Sequence, residues 1–343
     1  MPEPLPKLDE ITQLSPLVVR VLGLNPGEYS LQGTNTYLVG SGPSRILVDA
    51  GENARGYLPL LERAMKEHGV SHISDVLITH YHHDHSEGLL GLRRRFGTAL
   101  RAWKMDPTYR GVAAHGPSFS LASSSVQPLV DGQVLTTEDG SASLRVLATP
   151  GHTPDHCCLL LLEEGALFAG DCVLGGSSTV FEDLHTYLAS LSKMLGALEA
   201  EEAAVTPRGA TQRRRLYPGH GEVLDEGASA IRENIDHRLK RERQVLGVLA
   251  ARAHGLTPLG IVREVYPRLS ESLRLAAAHN VRMHLLKLRI DGRAEPWFGG
   301  EAAESTTTLR RKRMPFEWLL LERWTLVSPE PEAQQQQTAV LAS

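Results

Sequence analysis

Seven consecutive residues, Thr79-His80-Tyr81-His82-His83-Asp84-His85, constrain this chain more than any other stretch. They follow Val76-Leu77-Ile78, a compact apolar run with the pattern of a buried strand, which places them on a loop at that strand's C-terminal end. Five ligating side chains in seven residues would be costly to bury without a metal. His80 and His82, two apart, can converge from one side of an extended loop, and Asp84 and His85 lie just beyond, able to reach a second ion. Imidazole together with carboxylate suits zinc, and also manganese or iron. A histidine-rich surface loop without an ion is the alternative; a lone histidine would favour it, and this spacing after a strand does not.

Three later turns each add one ligand. Thr149-Pro150-Gly151-His152-Thr153 follows an apolar run ending at Leu147, and Phe168-Ala169-Gly170-Asp171 puts an acid at a strand end. Tyr217-Pro218-Gly219-His220-Gly221 repeats the glycine–histidine arrangement, and in each turn a glycine allows close backbone approach.

Around these turns, the first two thirds of the chain alternate strand and helix patterns. Leu17–Leu22 is a strand candidate, and Thr36–Val39 and Ile46–Val48 flank the hairpin turn Gly40-Ser41-Gly42-Pro43. Leu58–Glu67 has helical periodicity and stops before Gly69. Leu144–Leu147, Cys157–Leu162 and Ala166–Ala169 are further strands, so residues 1–226 read as an α/β layered catalytic domain. From 227 to 293 three helical patterns follow, Ala228–Ala253, Pro258–Tyr266 and Leu273–Leu288, joined by short turns as in a winged-helix-like domain. Residues 294–343 read as a weakly structured tail that ends in low-complexity sequence with four successive glutamines.

Charge separates these parts. The whole chain carries 36 Lys and Arg against 40 Asp and Glu, a net of −4, which excludes a globally basic nucleic-acid binder. Between Arg232 and Arg293, however, 13 Lys and Arg stand against 6 Asp and Glu, a net of +7, so the remainder sums to −11. The three cysteines, Cys157, Cys158 and Cys172, are odd in number and form no CxxC, which points to a reducing compartment and away from a zinc ribbon. No apolar run reaches the ~18 residues of a membrane span. The acidic N-terminus, with Glu3, Asp9 and Glu10, lacks the pattern of a signal or transit peptide.

The order His-x-His-x-Asp-His, then His152, Asp171 and His220, resembles the metallo-beta-lactamase superfamily of binuclear hydrolases over about Leu17 to Leu288. Leu31-Gln32-Gly33-Thr34-Asn35-Thr36-Tyr37-Leu38-Val39-Gly40 narrows the resemblance to a glyoxalase II-like group that includes endoribonucleases. The resemblance implies an αββα sandwich with a small C-terminal helical, winged-helix-like domain. It assigns His80, His82 and His152 to one zinc ion and Asp84, His85 and His220 to a second, with Asp171 between them: two Zn2+ per chain. It makes Asp49 an acid that orients a ligand, beside Ala50 where relatives more often carry Thr or Ser. It implies a metal-bridging hydroxide attacking phosphorus in line, with Asp84 also as the proton acceptor. The activity implied is endonucleolytic hydrolysis of single-stranded RNA leaving a 3′-OH, in the mitochondrial matrix or, alternatively, the cytoplasm. No membrane and no obligate protein partner is indicated.

Other residues carry competing readings. His83 reads as a bystander, His156 as a satisfied surface histidine rather than an orienting one, and the three cysteines as small core residues. Asn35 and Thr36 read as substrate contacts or as turn residues. Arg238, Lys240, Arg241 and Arg243 are candidates for phosphate contact with RNA, against the plain reading of solvated helix faces. Thr206 to Arg215 departs from relatives as an insertion, a loop or a basic rim. Two other functions compete with the nuclease: a thioesterase acting on hydroxyacylglutathione or on polyketide acyl-carrier thioesters, and a metal-stabilised RNA-binding protein without turnover.

Overall fold

A computed structural model describes residues 5–97, 100–106, 126–205, 214–252, 254–296 and 322–327. They form two compact units, 1–235 and 236–343, divided within one long helix.

In the first unit, a seven-stranded sheet runs β1 (Ile11–Ser15), β2 (Val18–Leu22), β3 (Asn35–Val39), β4 (Ser44–Val48), β5 (His72–Ile78), β6 (Arg101–Met105) and β7 (Val126–Leu129), neighbours in that order. The first four strands are antiparallel, and β4 to β7 are parallel. The crossover from β4 to β5 is helix α1 (Tyr57–Glu67), whose Tyr57, Leu60, Leu61, Ala64 and Met65 are buried at helical spacing. After β5 come a single turn, α2 (His83–Ser86), and α3 (Leu89–Phe96).

A second sheet has the order β12 (Leu216–Pro218), β11 (Ala166–Gly170), β10 (Cys157–Leu161), β9 (Ser143–Ala148), β8 (Val134–Thr136). Period-two alternation decides its two faces. Cys157, Leu159 and Leu161 join Phe168, Tyr217, Tyr37, Val48 and Leu77 in a core shared by both sheets. Cys158 and Leu160 are equally buried on the opposite face. That face is covered by α4 (Leu184–Val205), whose buried Leu184, Tyr187, Leu191, Met194 and Leu198 recur every three or four residues. Ser190 Oγ donates to the Pro150 carbonyl at 2.7 Å, and Lys193 Nζ to that of Ala148 at 3.1 Å. The other face of the first sheet packs α1 and α3, which completes the αββα sandwich.

The second unit contains most of α5 (Gly227–Ala250), α6 (Pro258–Val265) and α7 (Glu271–Ile290). Thr257 caps α6, its hydroxyl accepting from the Gly260 N–H at 3.1 Å, with Pro258 in the first turn. Two places in the expected tail are ordered, contrary to the sequence reading. Ala294–Pro296 (β13) pairs antiparallel with Trp324–Leu326 (β14), and Trp324 is fully buried. Trp324 also exchanges two backbone hydrogen bonds with Leu256, 2.9 and 3.0 Å. The Trp324 indole is buried among Val245, Ile261, Val281 and Leu285, and this packing anchors the strand to the helices.

Candidate metal centre

The site is built where β4, β5, β9, β11 and β12 end. Asp49, just past β4, adopts a left-handed conformation at φ 60°. There its carboxylate accepts from the Thr79 N–H at 2.8 Å, the Thr79 hydroxyl at 3.0 Å and His85 Nδ1 at 2.8 Å. Because the Thr79 hydroxyl gives its proton to Asp49, its 3.0 Å contact with His80 Nδ1 requires His80 to donate. His80 Nε2 therefore carries a lone pair. His152 is fixed the same way, Nδ1 donating to the Val180 carbonyl at 2.6 Å.

Those two lone pairs meet a third nitrogen. His80 Nε2 lies 2.9 Å from His82 Nδ1, His152 Nε2 lies 3.1 Å from the same atom, and the two Nε2 atoms are 3.3 Å apart. Neutral imidazoles cannot satisfy three such contacts with hydrogen bonds, so the arrangement fits a cation. Burial holds the His152 pKa down to about 3 even though Asp171 opposes the shift, and His80 is lowered by burial and by its histidine neighbours. All three nitrogens are thus available as neutral ligands.

A second group adjoins the first. His85 Nε2 and His220 Nε2 are 3.3 Å apart, and Asp84 Oδ2 lies 3.4 and 3.2 Å from them. Here burial opposes charge on the histidines, but the carboxylates outweigh it. His220 rises to about 9, chiefly through Asp171, and His85 is raised by Asp84, Asp171 and Asp49. In return His85 and His220 hold the Asp84 and Asp171 carboxyls far below the usual carboxylate range against their burial.

Asp171 stands between the groups. Its Oδ2 is 3.4 Å from His220 Nε2, 3.7 Å from His152 Nε2 and 4.0 Å from His80 Nε2, and its Oδ1 is 3.5 Å from His85 Nε2. Oδ1 is buried without a hydrogen-bond donor among the described residues, a costly state for a carboxylate oxygen unless a cation serves it. The donor set and this orphaned oxygen fit a pair of divalent ions. His80, His82, His152 and Asp171 would hold one, and Asp84, His85 and His220 the other. Gly219 makes the closure possible, because a Cβ there would lie 2.2 Å from Asp171 Oδ1.

The structure corrects several sequence expectations. His156 is 1% exposed, not on the surface. It accepts the Asp171 N–H on Nε2 at 3.1 Å, so its Nδ1–H donates to the Thr149 hydroxyl at 2.9 Å, and Thr149 donates to Cys158 Sγ at 3.3 Å. Although His156, Cys158 and Cys172 cluster, this committed tautomer leaves His156 no free lone pair. Asn35 and Thr36 are both 0% exposed and brace the fold rather than face a substrate. Asn35 Nδ2 donates to the Pro218 and Gly221 carbonyls, each at 2.9 Å, and Tyr37 Oη to Pro218 at 2.6 Å, steadying the His220 turn. The Thr34 hydroxyl donates to Asp84 Oδ2 at 3.0 Å, a contact the sequence reading did not anticipate. His83 is exposed, 3.7 Å from Glu52.

Of the basic candidates, Lys240 and Arg243 face solvent. Arg241 lies over the Tyr266 ring at 4.2 Å and bonds Gln244. Arg238 is 7% exposed, contrary to a phosphate-contact role, because it falls on the buried stripe of α5 with Glu242, Val245 and Leu249. Residues 206–213 of the insertion lie outside the described residues. Arg214 is buried, and Arg215 bonds Asp225 and the Leu14 carbonyl, so neither forms an open basic rim.

Residues 30–220 match the family model described as the metallo-beta-lactamase superfamily, and residues 257–296 match the beta-lactamase associated winged helix domain. Among curated proteins, the beta-lactamase-like protein 2 homolog of Caenorhabditis elegans is 38% identical over 307 residues, 86% of this chain and 94% of the relative. An atrochrysone carboxyl ACP thioesterase of Aspergillus fumigatus is 41% identical over 247 residues, 71% of this chain and 68% of the relative. Among solved structures, a beta-lactamase domain protein from Burkholderia ambifaria matches at a TM-score of 0.66 and 21% identity, covering 92% of this chain and 93% of its own.

Proposed function

The chain belongs to the metallo-beta-lactamase superfamily, and from that premise we propose that it is a zinc-dependent endoribonuclease, hydrolysing single-stranded RNA to leave a 3′-OH. The observation that carries a hydrolytic reading is Asp171, whose two oxygens face both histidine groups. Two divalent ions held there would bring the pKa of a water ligand to about 7 and offset charge growing on the phosphoryl oxygens. The chain's own part is to keep His80, His82 and His152 neutral, to keep Asp84 and Asp171 ionised, and to orient His85 through Asp49. Asp84 is also the proposed proton acceptor. The net +7 between Arg232 and Arg293 supports a polyanionic substrate, and of the four candidate contacts Lys240 and Arg243 face solvent.

A thioesterase is the second reading, favoured by relatives that carry that name at 41% identity. One experiment separates the two: zinc-loaded protein incubated in parallel with end-labelled single-stranded RNA and with an acyl-pantetheine thioester. The nuclease reading expects RNA cleavage with 3′-OH ends and an affinity that falls steeply with salt. Thioester hydrolysis with intact RNA would establish the second reading instead.

A further inference from the structure

We propose that Thr34 is a positioning residue of the metal centre, acting through Asp84. It fixes Asp84 Oδ2 toward His85 and His220 and thereby governs ion binding on that side alone. The inference rests on the reading that Asp84, His85 and His220 hold an ion.

The direction of each hydrogen bond is determined. The Thr34 N–H donates to Asn25 Oδ1 at 2.9 Å, which sets the orientation of the Asn25 amide. Asn25 Nδ2 then donates to the Thr34 hydroxyl at 3.0 Å and to Glu52 Oε2 at 3.0 Å. With one proton to give and an amide donor already facing it, the Thr34 hydroxyl must donate to Asp84 Oδ2. Thr34 is fully buried, so no water competes for that proton. Asp84 sits on the single helical turn α2, which by itself gives a short carboxylate little restraint.

The contacts of this stretch are one-sided. Asp84 uses the same oxygen, Oδ2, toward Thr34, His85 and His220, which leaves Oδ1 for the proton-accepting role. Thr34 also bridges His220 through the backbone, and the Asn35 N–H donates to the Gly219 carbonyl at 2.7 Å. His80 and His152 are oriented by other groups, Thr79 and Val180. A change at Thr34 should therefore reach one ion and spare the other.

The test is zinc titration of the metal-free protein in competition with a chromophoric chelator. Wild type should bind two ions. Thr34→Val, which keeps shape and removes the hydroxyl, should weaken one by about 10–100-fold and leave the other nearly unchanged. Thr34→Ser should restore it, and Thr34→Ala replaces the valine variant should that one not fold by circular dichroism. In a His220→Ala background Thr34→Val should add little, which identifies the side affected. Two wild-type affinities in Thr34→Val and Thr34→Ala, or equal loss of both ions without rescue by serine, would overturn the proposal. A wild-type protein that binds no second ion would overturn the underlying reading instead, and the wild-type titration reports that separately.

Discussion

At the scale of residues, the two groups around Asp171 differ in what occupies them when no ion is bound. His152, at about 3, is neutral across the physiological range, whereas His220, at about 9, holds a proton at pH 7. An ion entering beside His220 must displace that proton. Its apparent affinity should rise about tenfold per pH unit per proton released, from about pH 6 to about pH 9, while the His80, His82, His152 side stays nearly flat. Competitive zinc titration at several pH values checks this, and two flat profiles would contradict it. The ligand types themselves were legible, because few chains place so many histidines and acids on one strand-end loop. Their supports were not. His156 reads as polar and therefore superficial, yet it immediately precedes a strand buried on both faces, where a polar ring survives only because the Asp171 N–H and Thr149 complete its hydrogen bonds. Thr34 and Asn35 stood out as a motif, but the site partners Asp84, Pro218 and Gly221 lie 50 to 186 residues away, beyond the reach of local pattern.

At the scale of elements, strands and helices with strong periodicity are legible. α1, β9, β10 and β11 fall within one or two residues of the expected segments, whereas β5 starts four residues before the expected Val76–Ile78. The edge strands β1, β7 and β8 are half-buried or exposed and carry too weak an alternation to be read. β14 depends on a pairing with β13 across a long intervening segment. Helix α5 shows how a charge run misleads: Arg238 lies seven residues before Val245, on the inward stripe, so its sign says less than its phase. Beside it His284 of α7 is 2% exposed. Burial first, and then Arg238, Arg241 and His237 of α5 and Lys287 of α7, push its pKa from 6.5 down to about 3. The unfolded chain takes up a proton at this histidine that the folded chain refuses. Stability is therefore full above about pH 6.5 and falls by about 1.4 kcal/mol per pH unit as the pH drops below it. Chemical denaturation at pH values from 7 to 5 should show a steeper loss for wild type than for His284→Leu. Equal slopes would remove His284 from the account.

At the scale of the whole molecule, the net charge of −4 is the difference of unlike parts, and the structure refines which positive groups are accessible. In the second unit, Lys287 pairs with Glu242 and Asp291, Arg252 with Glu264, Arg274 with Glu271, and Arg293 with Glu242. These four of the 13 basic residues of 232–293 thus have acidic partners, but those acids are already counted in the net of +7, which stands; the exposed Arg252–Glu264 pair contributes little to stability. What unites the first unit is convergence: residues from Asp49 to His220 meet because parallel and antiparallel strands of two sheets end at one place. The proposed two-ion centre would be shared through Asp171. It is tested most directly by measuring bound zinc per chain in wild type and Asp171→Asn, with RNA cleavage followed in the same preparations. Wild type should bind two zinc ions, and the variant should lose at least one, with cleavage abolished and the fold intact. Wild-type zinc content and cleavage in Asp171→Asn would contradict it.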